Sequence, residues 1–179
     1  MTAFNELTPG TWTFDPAHSE VEFTVRHAGI SKVRGTFNEV SADLNVGEES
    51  SVTASVNVGS LDTGNADRDA HVKGADFFDT ENHPEMTFTS TSIESDGEDF
   101  TLNGDLTIKG ETRPVSFTGE FGGVAVDPFG ATRAGFSVAA SISRKEFGIT
   151  WNAALETGGV LVSDKVTISL DVAFVAPTA

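Results

Sequence analysis

Hydrophobic residues recur along this chain with a period of two, and that spacing constrains the fold more than any other feature. Apolar positions alternate with Thr, Ser and Asp at Val52, Ala54, Val56, Val58; at Phe100, Leu102, Leu106, Ile108; at Phe136, Val138, Ala140, Ile142; and at Val166, Ile168, Leu170, Val172, Phe174. Successive side chains of an extended strand point to opposite faces, so each run has one dry face and one wet face. Val21, Phe23 and Val25 form another such face, and Val115, Phe117 and Phe121 a further one. A strand begun at Val33 and Phe37 resumes at Val40, Ala42, Leu44 and Val46, and the change of phase predicts a bulge near Asn38.

Turn signals separate the runs: VGEES at 46–50, SDGED at 95–99, KGETRP at 109–114 and DPFG at 127–130. Most links are short, so neighbouring strands pair antiparallel in an up-and-down order. Nine strand candidates in this order fit a closed barrel better than a sandwich, because closure removes the exposed edges. The expectation is an all-β antiparallel barrel, one domain over residues 1–179, with one or two short helices at one end. Residues 65–73 read as a helix, with Asn65 as N-cap, Asp67 in the first turn, Lys73 in the last and Gly74 beyond it. Arg144 to Ile149 reads as another helical turn, followed by a poorly patterned stretch at 151–163.

Composition narrows the partners. The chain has 11 Lys and Arg against 27 Asp and Glu, a net charge of −16, a field that repels nucleic acid and anionic bilayers. It has no cysteine, which removes disulfides, thiolate metal sites and thiol nucleophiles. No stretch reaches the length of about 18 apolar residues that a membrane helix needs, so stable membrane insertion is not expected, and homodimerisation is left open. MTAFNELTPGTWTF has none of the marks of a secretion signal. The expected location is therefore cytoplasmic as written, and periplasmic or secreted if a signal precedes it.

The densest cluster of titratable residues is NADRDAHVKGADFFDTENHPEMTF, residues 65–88. A metal site there would use His71 and His83 with Asp67, Asp69, Asp76 or Asp79, but the histidines lie across Gly74 and before Pro84 with no recognised ligand spacing, so no metal is expected. Local roles suffice for the charges: Asp67 suits the helix dipole and Asp76 a cap on the turn at Phe77 and Phe78. Those two phenylalanines, followed by Met86 and Phe88, need apolar surface to cover, and the mouth of a barrel supplies it. No nucleophile elbow is present, and Ser19 beside His18 reads as a turn.

Counting strand parity places every connection at one of two ends. His27, the helix, the hairpin at 109–114 and the segment from Arg144 to Asp164 share an upper end, while the lower turns hold Asp15, Glu48, Glu49, Asp96, Glu98, Asp99 and Asp127. Arg26, Lys32, Arg34, Arg68, Lys73, Lys109, Arg113, Arg144, Lys145 and Lys165 fall at or near the upper end, and Arg133 does not. Three ionisable residues extend an inward phase there: His27 after Val25, Arg113 before Val115 and Arg144 after Ile142. The blander alternative is that the basic residues only pair with acids at the rim. Gly104 and Gly119 interrupt inward faces, which suits either space for a ligand or barrel curvature.

Five blocks then match a known family in order and spacing: DPAHSEVEFTVRHAGISKVRGTF, RDAHVKGADFFD with HPEMTFTST, LNGDLTIKGETRPVSF, RAGFSVAASISRKEFGITW and DKVTISLDVAF. From about residue 10 to 175 the chain closely resembles the YceI-like, lipocalin-like family of bacterial polyisoprenoid-binding proteins. The resemblance implies an extended barrel of about eight strands around a long apolar pore holding an isoprenoid chain. It also implies that Arg68, His71, Phe77 and Phe78 belong to a helical segment near the pore, and it supplies no catalytic set. On an eight-stranded count, the first short strand at 11–15 lies outside the ring.

The resulting expectation is a non-catalytic carrier or store for a polyprenyl diphosphate or quinone tail, with that lipid as ligand and no cofactor. Its tail packs against Phe23, Val25, Phe77, Phe78, Phe100, Leu102, Leu106, Phe117, Phe136 and Val138, and its headgroup meets His27, Arg113 and Arg144. Two rivals remain: an isomerase or hydrolase using His27 as general base in the same cavity, and a structural or stress-response module packed solid.

Overall fold

The computed structural model describes residues 3–153, 155 and 161–177. Its strands and helix, in chain order, are β1 (Gly10–Phe14), β2 (Glu20–His27), β3 (Ser31–Phe37), β4 (Val40–Val46), β5 (Ser51–Asn57), β6 (Leu61–Asp62), α1 (Ala66–Lys73), β7 (Glu85–Asp96), β8 (Asp99–Ile108), β9 (Glu111–Val126), β10 (Thr132–Ser143) and β11 (Val162–Val175). Strands β7 to β11 are long, and burial alternates with the period of two along β8 and β10, through the middle of β9 and over the first half of β7.

The sheet closes into an antiparallel barrel with eight strand positions, two of them filled by broken strands. β1 pairs with β4 and, through Thr13↔Val175 and Phe14↔Phe174, with β11; β2 pairs with β3 and with β11 farther up. So β1 and β2 are one strand interrupted at 15–19, and β3 and β4 one strand interrupted at 38–39. The first strand is therefore inside the ring, contrary to the sequence expectation, and it closes the lower end. The break expected near Asn38 is present, because Asn38 and Glu39 leave the ladder to bond Ser60 and Asn57. The hairpin after β8 is tighter than KGETRP suggests: Lys109 and Gly110 make the turn at φ 53° and 78°, and Pro114 already lies in β9 opposite Asp105.

The inward glycines hold no void for a ligand. A Cβ on Gly104 would lie 2.4 Å from the Phe88 ring, and one on Gly119 2.1 Å from the Ser137 carbonyl. Each is small so that a neighbouring ring or strand can come close.

The lower end is sealed. The 3₁₀ turn Phe4–Glu6 drives Phe4 against Phe100, Phe121 and Phe136, with centroids 5.1, 6.1 and 6.1 Å apart. Leu7 and Trp12 are buried beside it, and the Trp12 indole donates to the Thr8 carbonyl. Outside this floor Arg133 bridges Asp15 and Asp127. Asp15 also accepts from the Ala17 N–H and meets His18 Nδ1 at 2.8 Å. Burial pushes the Asp15 carboxyl up, but Arg133, His18 and the Ala17 N–H together hold it below its ordinary value. Ser19 accepts from the Ala173 N–H, so His18 and Ser19 form a braced turn.

The upper end carries the helix. Asn65 caps it, its side chain accepting from the Arg68 N–H at 3.0 Å, and Gly74 follows it. The second helical turn is 3₁₀, Arg144–Phe147, ended by Gly148 at φ 74°.

Candidate functional site

The barrel interior is a bore divided into two chambers. The lower one, about 120 Å³, is lined by Phe100, Leu102, Leu106, Phe117, Phe136 and Val138 together with residues of β1, β4, β5 and β11, all hydrophobic except Thr87. The upper one, about 440 Å³, takes in Phe23, Val25, Phe77 and Phe78. All ten residues expected to line the bore therefore lie on one chamber or the other. Val21, Met86 and Ile168 border both and form the neck between them. A cavity with such walls stays dry and takes apolar guests, and the upper chamber has the size of an ordinary small-molecule pocket.

The two ends differ. Below, the bore stops at the aromatic layer of Phe14, Phe100, Phe136 and Phe174, whose neighbouring centroids lie 5.0 to 5.9 Å apart. It is a blind bore and not a through tunnel. Above, the chamber is roofed by Phe77, His71 and Trp151, with centroids 4.9 to 5.4 Å apart in edge-to-face and tilted pairs. Exposed members of the lining, Arg26 and His27 on β2 with Asp67 and His71 on α1, mark the opening.

The three residues expected at the headgroup end fall in different places. His27 stands at the opening. Arg113 is outside the lining; it is exposed, 3.7 Å from Glu111. Arg144 borders the chamber but is 4 % exposed and donates to four carbonyls: Ser163 at 2.9 Å, Ile149 at 2.8 Å, Trp151 at 2.9 Å and Val162 at 3.2 Å. Burial pulls its pKa down and Asp164 opposes that pull. Asp164 is itself held below the ordinary carboxylate range, first by the Ser143 hydroxyl. Arg144 thus anchors the strand end at Val162–Ser163 to the segment at Ile149–Trp151.

The polar group that does face the chamber from a prepared position is Arg68. Its Nε donates to Thr63 Oγ1 at 2.8 Å and its Nη2 to the Thr63 carbonyl at 2.7 Å, while the Thr63 hydroxyl donates to Asp69. His71 meets Asp76 at 3.0 Å, so Asp76 serves the histidine instead of capping the turn at Phe77 and Phe78. Among the described residues no three His, Asp or Glu side chains gather as metal ligands. Arg68 and His71 were visible only as members of a helix near the pore. Trp151 sits in the unpatterned stretch, where no periodicity could mark it. Phe4 and Leu7 precede the first strand and gave no period to read.

Comparison with known proteins agrees with this architecture. The profile of the YceI-like domain matches residues 12–174. A UPF0312 protein of Staphylococcus epidermidis is 38 % identical over 179 residues, covering 97 % of this chain and 98 % of the relative. The crystal structure of the Campylobacter jejuni YceI protein superposes with a TM-score of 0.74 at 29 % identity, covering 86 % of this chain and 90 % of that one. A polyisoprenoid binding domain from Saccharophagus degradans superposes with a TM-score of 0.69 at 15 % identity over 93 % of this chain and 98 % of its own, a likeness of fold.

Proposed function

The chain belongs to the YceI-like family, and from that membership and the blind apolar bore we propose that it binds an isoprenoid lipid tail-first and carries or stores it unchanged. The observation that carries this reading is the lining of the bore: hydrophobic through the lower chamber and the neck except for Thr87, with the charged side chains confined to the upper chamber. Removal of apolar area from water, at about 25 cal/mol per Å², is then the driving force, and it asks for a long, flexible hydrocarbon and not a particular shape. The Saccharophagus degradans neighbour, a polyisoprenoid binding domain on the same fold, supports a branched prenyl chain as the guest. The diphosphate or quinone end of the lipid rests at the opening, near His27 and the Arg68 guanidinium.

Organic extraction of the purified protein followed by mass spectrometry tests this directly. A prenyl lipid in the extract, returned with unchanged mass after incubation with fresh protein, is the expected result. An extract free of lipid contradicts the carrier reading, and a changed mass contradicts its non-catalytic part.

A further inference from the structure

The opening of the upper chamber is flanked by the β2–β3 hairpin, which carries more than wall residues. We propose that this hairpin is a docking prong for the headgroup surface of an anionic lipid bilayer, setting the mouth against the membrane so that a lipid enters or leaves without crossing water. The inference rests on the reading of the bore as a lipid site.

Ile30 at the tip is 85 % exposed. The turn beneath it is tight: Ala28 and Gly29 both have left-handed φ, 53° and 72°, and the Ile30 N–H returns to the His27 carbonyl at 3.2 Å. Alanine adopts that conformation only at a cost. Here the Ala28 N–H is fastened to the Leu161 carbonyl at 2.7 Å, and the strained turn presents an isoleucine to solvent. Lys109–Gly110 turns with a similar pair of left-handed φ values, so the conformation belongs to the tight hairpin, and the exposed isoleucine is what sets this one apart.

The flanks are basic. From Phe23 to Phe37 there is no Asp or Glu, in a chain with 27 of them, while Arg26, Lys32 and Arg34 fall within nine residues. Arg26 and Lys32 are direct cross-strand partners, an opposition of like charges that weakens the hairpin in isolation and is relieved by an anionic surface. Of the three, Arg34 has a carboxylate nearby, Glu22 at 3.8 Å. The chain's net charge of −16 does not forbid this contact. Seven acids lie in turns at the other end of strands ten to sixteen residues long, several screening lengths of about 8 Å away, and of those at the upper end Asp76 meets His71, Asp69 accepts from Thr63 and Glu111 lies beside Arg113. A second exposed apolar tip, Phe129, follows Asp127 at that acidic end, away from such a membrane.

The test is co-sedimentation with phosphatidylcholine vesicles made with and without phosphatidylglycerol. The protein is expected to bind the mixed vesicles more strongly, less so as salt rises, with affinity falling about tenfold or more in Lys32→Glu/Arg34→Glu and in Ile30→Asp. Ile30→Trp should show blue-shifted emission with the mixed vesicles alone. Equal binding to both vesicle types, no binding, or full binding by the hairpin variants overturns the proposal. Farnesol binding without vesicles separates the two readings: variants that bind farnesol but not vesicles support the prong, and wild-type protein that docks yet takes no farnesol contradicts the bore.

Discussion

Arg144 and Arg68 show how two similar side chains divide between holding the wall and facing the guest. Arg144 satisfies four backbone carbonyls from a site 4 % exposed, so Arg144→Met strands those oxygens and should cost about 3 kcal/mol, read as a lower Tm in thermal unfolding. An unchanged Tm would contradict the anchoring role. Arg68 is fixed by Thr63 with donors to spare, so Arg68→Ala should weaken a prenyl diphosphate about tenfold or more and leave the matching alcohol almost untouched. Equal losses would remove it from the headgroup end. The sequence placed Arg144 near the cavity through its phase after Ile142, but phase cannot say whether a guanidinium finds carbonyls or a ligand. That choice depends on the Ile149, Trp151, Val162 and Ser163 carbonyls converging on the guanidinium, a contact without local signature. Arg113 has the same inward phase, yet it lies at the very end of its hairpin, where inward no longer means enclosed.

At the scale of elements, strands and turns were legible because each carries its own period or its own Gly and Asp signal, and the capped helix at 66–73 followed from Asn65 and Gly74. The floor was not legible. It depends on Phe4 reaching across the barrel end to Phe100 and Phe136, a contact between residues about a hundred positions apart. The floor fixes how far a tail can descend, so Phe4→Ala should let a longer prenyl alcohol keep gaining affinity before the gain stops. Calorimetry across chain lengths reads this limit, and an unmoved limit would show that Phe100 and Phe136 close the bore without Phe4. The inward glycines illustrate the same boundary: their position was evident, but whether they open space or admit a neighbour was decided by the Phe88 ring and the β10 backbone.

Taken whole, the molecule is polarised. One end is sealed by aromatic rings and ringed by acidic turns, with Arg133 tied to Asp15 and Asp127; the other opens among His27, Arg68 and a basic hairpin. Parity counting predicted this polarity because a meander sends alternate turns to opposite ends, whatever the details of register. It could not predict the neck at Met86 or the division of the bore, which come from side chains meeting across the barrel. As proposed, a prenyl tail fills a dry bore of fixed depth. The most direct test is the affinity of wild-type protein for prenyl alcohols of increasing length. The expected result is a gain of about tenfold or more per isoprene unit, then a sharp plateau once the tail reaches the floor. Affinity that is flat from the shortest alcohol upward would contradict it.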